Sequence, residues 1–195
     1  MIRNLALAWF GLAAALAGAE PPQDGRTGDA SAGALSLALS DSSHYTPDAP
    51  PELRVDLIRV IKHERILYLL SGDHPVRAYP VALGDQPVGH KKREGDERTP
   101  EGRYVIDWRN PDSRFYRSLH ISYPNEADRA RAEAEGVDPG GMIMIHGWPN
   151  TLESEDEIAR LLYTDWTNGC IAVPNTAMRE IWESVPVGTP VEILP

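Results

Sequence analysis

Two residues in this chain have the types and surroundings needed for nucleophilic chemistry: Cys170, the only cysteine, and His146. Cys170 closes Thr167-Asn168-Gly169-Cys170 and opens the apolar run Ile171-Ala172-Val173. A polar turn ending in glycine sets the sulfur at the rim of a core, where a substrate can reach it. The glycine lets nearby amides, those of Thr167, Asn168, Gly169 and Gly147, come close to a developing oxyanion. His146 follows Ile143-Met144-Ile145 and precedes Gly147, which places an imidazole at a sheet edge. Thiolates rather than thiols attack carbonyls, and a neighbouring imidazole is the usual activator. Each residue alone has a plainer explanation, since cysteine often begins a buried strand and a histidine after an apolar run is more often structural. Two edge residues of complementary chemistry in one small domain favour catalysis, with Cys170 as nucleophile, His146 as base and a thiol whose pKa is lowered.

The histidines, His44, His63, His74, His90, His120 and His146, form no His-Glu-x-x-His pair or other recognisable ligand spacing, which speaks against a metallopeptidase. Trp148, Tyr163 and Trp166 flank the two motifs and could line a substrate cleft as readily as a core. His120 reads as packing. Arg98 and Lys92 could meet substrate carboxylates, although charged loops are usually just solvated.

The elements that must position these residues are mainly strands. Val55 to Ile61, Arg65 to Leu70 and Val76 to Leu83 alternate as three strands, and Gly84 to Pro100 is a charged surface loop. Arg103 to Trp108, Ser118 to Tyr123, Met142 to Ile145 and Val191 to Leu194 read as further strands, the third of them short and buried. Helices are expected over Asn125 to Glu135, Glu153 to Tyr163 and Thr176 to Ser184, the last capped by Asn175. The fold class is mostly β with a few helices, arranged as a barrel or sandwich.

Together these motifs resemble the L,D-transpeptidase family, with its YkuD-like catalytic domain. The resemblance rests on Ile145-His146-Gly147, Thr167-Asn168-Gly169-Cys170 and Asn175. It also draws on Arg98-Thr99-Pro100-Glu101-Gly102 with Tyr104, and on Ile121-Ser122-Tyr123-Pro124-Asn125. It spans Val55 to Leu194 and implies a YkuD-like β-sandwich or barrel acting on peptidoglycan stem peptides. It further implies a thioester on Cys170, formed with no metal or organic cofactor; the candidate substrate-binding residues are Trp148, Trp166, Tyr123 and Arg98. Asn168 stands where the family has a second histidine, Ala172 where arginine is common, and the spacer from His146 to Thr167 is long. Such variants also resemble an envelope amidase that releases a lipoprotein from peptidoglycan, so water is a possible acceptor and a wall-linked lipoprotein a possible partner. A non-catalytic wall-binding module is the rival that dispenses with Cys170.

Bulk properties fit this picture. The chain has 195 residues, one domain's worth with an extension, and 42% hydrophobic residues, enough for a core. A formal net charge of -10 speaks against a nucleic-acid partner. Arg3, the apolar run Leu5 to Ala17 and Ala17-Gly18-Ala19 read as a signal peptide over residues 1–19, which implies export to the periplasm or cell envelope. Residues 20–50 read as a flexible linker, and residues 51–195 as the catalytic domain, a monomer.

Overall fold

Alternating side chains build the sheet. In β1 (Leu57–Ile61) Ile58 and Val60 are fully buried between half-buried neighbours, and β2 (Ile66–Ser71) buries Leu67 and Leu69 in the same manner. Each such side chain contributes about 1.5–3 kcal/mol on burial. The computed structural model describes residues 54–152 and 154–195. The expected signal peptide and linker, and Glu153 at the expected helix start, lie outside the described residues.

The remaining strands are β3 (His74–Pro80), β4 (Gly102–Ser113), β5 (Tyr116–Ile121), β6 (Met144–His146), β7 (Ile171–Ala172) and β8 (Pro190–Leu194). They form one eight-stranded mixed sheet in the order β3-β2-β1-β8-β4-β5-β6-β7. β1 with β8 and β6 with β7 are parallel pairs; the others are antiparallel. The chain leaving β3 then meets the opposite end of the sheet. Ala82 and Ala172 exchange two backbone hydrogen bonds of 2.9 Å, and Gly84 bridges to Thr167. The sheet therefore closes on itself at a seam beside the cysteine.

Helix α1 (Glu126–Glu135) starts where expected, with a capping box between Asn125 and Asp128, and ends at Gly136 in the left-handed conformation. Helix α2 (Glu155–Leu162) is capped by the Ser154 side chain. Helix α3 (Asn175–Ser184) buries Ala177, Met178 and Ile181 against the main core. Its N-cap is Pro174, with no side-chain cap. Asn175 lies inside the helix because its Oδ1 instead accepts the Trp148 N–H at 2.8 Å.

Candidate active site

The cysteine turn is clamped at both ends. Asp165 receives a fork of hydrogen bonds from Arg65, the shortest 2.7 Å, and accepts the Leu83 N–H at 2.9 Å. The N–H groups of Trp166 and Thr167 both reach the Leu83 carbonyl. Thr167 Oγ1 then donates to the Cys170 carbonyl at 2.7 Å and accepts the Gly169 N–H at 3.2 Å. Gly169 has φ +119°, and a Cβ there would lie 2.6 Å from the Arg98 carbonyl oxygen, so no other residue fits without displacement.

Cys170 is half-buried, and its Sγ accepts the Met144 N–H at 3.4 Å while the thiol donates to the Met142 carbonyl at 3.6 Å. Donation to a carbonyl requires S–H, so the second contact holds the protonated form. Burial pushes the thiol above its ordinary 9.0, and the Met144 N–H and the Lys91 charge pull back only part of that. The lowered pKa expected of an activated thiol is therefore absent in the resting protein, because desolvation of the anion outweighs its partners.

His146 ends β6 with Ser118 opposite on β5 and Ala172 opposite on β7. Its Nδ1 lies 2.7 Å from the Gly147 carbonyl oxygen. A carbonyl only accepts, so Nδ1 carries the proton and Nε2 the lone pair. Phe115 packs on the ring at 4.5 Å between centroids and Trp166 meets it edge-on at 5.7 Å. Burial pushes the imidazole pKa down to about 4, against a small opposing effect of the Gly147 carbonyl. The ring is thus a neutral base at neutral pH. A Cβ on Gly147 would meet Asn175 Oδ1 at 2.4 Å, so this position must be glycine to let the asparagine brace the turn.

Cys170 and His146 line one cleft of about 720 Å³ together with Lys91, Met142, Trp166 and Asn168. The parallel pairing of Ile145 with Ile171 and of His146 with Ala172 is what brings them to the same cleft. Sγ is hydrogen-bonded to backbone groups and the imidazole to Gly147, with no direct hydrogen bond between thiol and imidazole. Among the described residues the Cys170 N–H has no hydrogen-bond partner, which leaves it available to a ligand. Among the described residues no three His, Cys, Asp or Glu side chains are grouped to hold a metal ion.

Residues 55–193 match the YkuD family, described as the L,D-transpeptidase catalytic domain. The chain belongs to this family. The YkuD domain is 32% identical over 135 residues to the Escherichia coli K12 protein named "Putative L,D-transpeptidase YafK", an alignment covering 66% of this chain and 46% of that protein. It is also similar to the crystal structure of the helical cell shape determining protein Pgp2 from Campylobacter jejuni. That match has a TM-score of 0.54 and 27% identity, and covers 71% of this chain and 47% of that one. The chain spans about half the length of the relatives it matches.

Several sequence expectations are relocated within the YkuD domain. Trp148 is not part of the cleft lining; it is 5% exposed in a second apolar cluster with Ala82, Ala172 and the inner face of α2. Tyr123 is likewise in the core, its hydroxyl donating to the Pro139 carbonyl at 3.0 Å. Arg98 and Lys92 line a second, smaller pocket that adjoins the cleft at Gly95 and Glu97, and Arg98 packs its backbone on Gly169. Tyr163 is exposed away from the cleft, whereas His120 packs as expected, buried against Trp108 and paired to Asp107 at 2.5 Å. The N–H groups of Gly169 and Gly147 are bonded to Thr167 Oγ1 and to the Phe115 and Arg117 carbonyls, so these glycines support the site's shape and do not face an oxyanion. Met142 is 63% exposed, so the strand that delivers His146 begins only at Met144. Ala172, at 0% exposure, points into the seam and away from any substrate.

Three residues of the site escaped the sequence. Lys91 and Asp96 sit inside a charged run whose pattern reads as solvated surface, and Phe115 carries no local signal of its contact with His146.

Proposed function

We propose that this protein is an exported, cysteine-dependent L,D-transpeptidase that acts on peptidoglycan stem peptides through a thioester on Cys170. The observation that carries the reading is the presence of a protonated thiol and a neutral, Nδ1-protonated imidazole on adjacent strands lining one cleft. Family membership supports acyl transfer as the reaction class. In the proposed first step Sγ attacks the carbonyl on the L-centre of diaminopimelate while its proton passes to His146 Nε2. The Cys170 N–H faces the developing oxyanion. Collapse breaks the C–N bond, and the imidazolium returns its proton to the departing D-alanine amine. An imidazole with a pKa near 4 is a strong donor once protonated, which suits this second transfer. An amine from a second stem then attacks the thioester, forming the new amide and restoring the thiol.

One observation favours hydrolysis as a second reading. Asn168, exposed on the cleft wall, offers an amide where a second base would be needed to activate an amine acceptor. Water as acceptor would make the protein an L,D-endopeptidase or an amidase acting on lipoprotein–peptidoglycan links. Purified disaccharide-tetrapeptide separates these outcomes when products and protein mass are followed together. An adduct on Cys170 with D-alanine release and a dimeric product supports transpeptidation, and release without dimer supports hydrolysis. Absence of both adduct and turnover, on this substrate and on lipoprotein-linked peptidoglycan, refutes the enzyme and leaves a wall-binding module.

A further inference from the structure

Lys91, in the loop between β3 and β4, is 3% exposed. Its Nζ donates to the Arg93 carbonyl at 3.1 Å and to Asp96 Oδ1 at 2.9 Å. An ammonium has three donors, so one N–H remains without a partner among the described residues. The same side chain lines the cleft that holds Cys170 and His146, close enough for its charge to act on the thiol.

Asp96 does not neutralise this cation alone. Its Oδ2 accepts the N–H groups of Lys92 at 2.7 Å and Arg93 at 3.1 Å, and its Oδ1 accepts that of Arg98 at 3.2 Å beside Lys91. Burial alone would raise this carboxyl, but the bonds outweigh it and hold the pKa at about 2. Three backbone amides therefore share the carboxylate with the lysine, and part of the ammonium's field remains for the cleft. The other charged side chains on the cleft wall, Glu94, Asp112 and Arg114, are exposed, and Glu97 is half-buried. Water and salt screen those four far more than they screen Lys91.

A buried ammonium with a spare donor on a substrate cleft is suited to an anion, and a charge-assisted hydrogen bond is the interaction it can offer. We infer that Lys91 is a specificity-determining residue that receives a carboxylate of the substrate on its free Nζ–H. This rests on the stem-peptide substrate proposed above, in which the terminal D-alanine and the diaminopimelate side chain both present carboxylates.

Binding to the Cys170→Ala protein tests the inference without turnover. Three tetrapeptides are compared by calorimetry: the free acid, one amidated at the D-alanine terminus, and one amidated on the diaminopimelate side chain. One of the two amidated peptides should bind roughly 10- to 100-fold more weakly than the free acid. Adding Lys91→Met should shrink that ratio to within about twofold. The peptide whose ratio collapses identifies the carboxylate. A purely structural lysine would instead weaken all three peptides alike and leave the ratios unchanged, which overturns the inference. So would equal binding of all three to Cys170→Ala. Lys91→Met combined with Asp96→Asn removes the pair as a neutral unit and serves where the single substitution fails to fold. Wild-type protein is assayed for adduct in parallel: a missing adduct defeats the thioester function, while the binding ratios still decide the role of Lys91.

Discussion

His146 makes acid a specific stress on this fold. Its ring is 3% exposed and holds a pKa of about 4 against an ordinary 6.5. The unfolded chain therefore takes up the proton first. The stabilisation is complete above pH 6.5 and is lost as pH falls from there through 4. At about 1.4 kcal/mol per pH unit, the fall from 6.5 to about 4 corresponds to about 3 kcal/mol, a large share of a domain's net stability. Urea unfolding at pH 7, 5.5 and 4 on wild type and His146→Asn isolates this contribution. The asparagine does not titrate, and other acid-sensitive groups such as His90, whose pKa burial also lowers, are common to both proteins. Wild type should lose about 3 kcal/mol more than the variant between pH 7 and pH 4. Equal losses in the two proteins would refute the buried neutral imidazole, and with it the assignment of Nε2 as a standing base.

Alkylation of Cys170 by iodoacetamide should be slower at pH 7 than that of a free model thiol and should rise with pH beyond 9, because burial holds the thiol protonated; intact mass against pH reads this, and fast labelling at neutral pH would contradict it. Gly169→Ala must place a Cβ 2.6 Å from the Arg98 carbonyl at φ +119°, so it should cost about 1–3 kcal/mol in thermal unfolding and abolish adduct formation. Asn175→Ala leaves the buried Trp148 N–H without its acceptor and should cost about 1–3 kcal/mol in denaturant midpoint analysis, whereas a loss as small as that of an ordinary surface substitution would show that the brace is idle.

What the sequence displayed followed from how local each signal is. Ile58 and Val60, Leu67 and Leu69 alternate with a period of two, and Asn125 with Asp128 forms a cap across three residues, so β1, β2 and α1 were legible to within a few positions. The edge positions of Cys170 and His146 were legible because apolar runs break at them. The closing bridge was not, since β7 has only two residues and its partner Ala82 is distant in the chain. That closure is also why Trp148 and Ala172 turn inward. Tyr123 and Arg98 were misplaced for a related reason: composition tells that an aromatic or a guanidinium is available, and only tertiary packing tells which way it faces. Asn175 had the residue type of a cap, yet an unpaired N–H on Trp148 competed for the same oxygen and won.

The seam at Ala82 and Ala172 has a consequence for the order in which the molecule assembles. The strand that follows Cys170 is zipped at Ala172 to Ala82, 90 residues earlier in the chain, and contacts of such separation form late because the intervening loop must close first. Until then Cys170 lacks the burial that keeps it protonated and slow to react. A nascent chain in oxidising surroundings thus passes through an interval in which its single thiol is open to sulfenic acid formation or to mixed disulfides. The final closure that completes the cleft also ends that exposure, so the yield of active protein should depend on how quickly the barrel shuts.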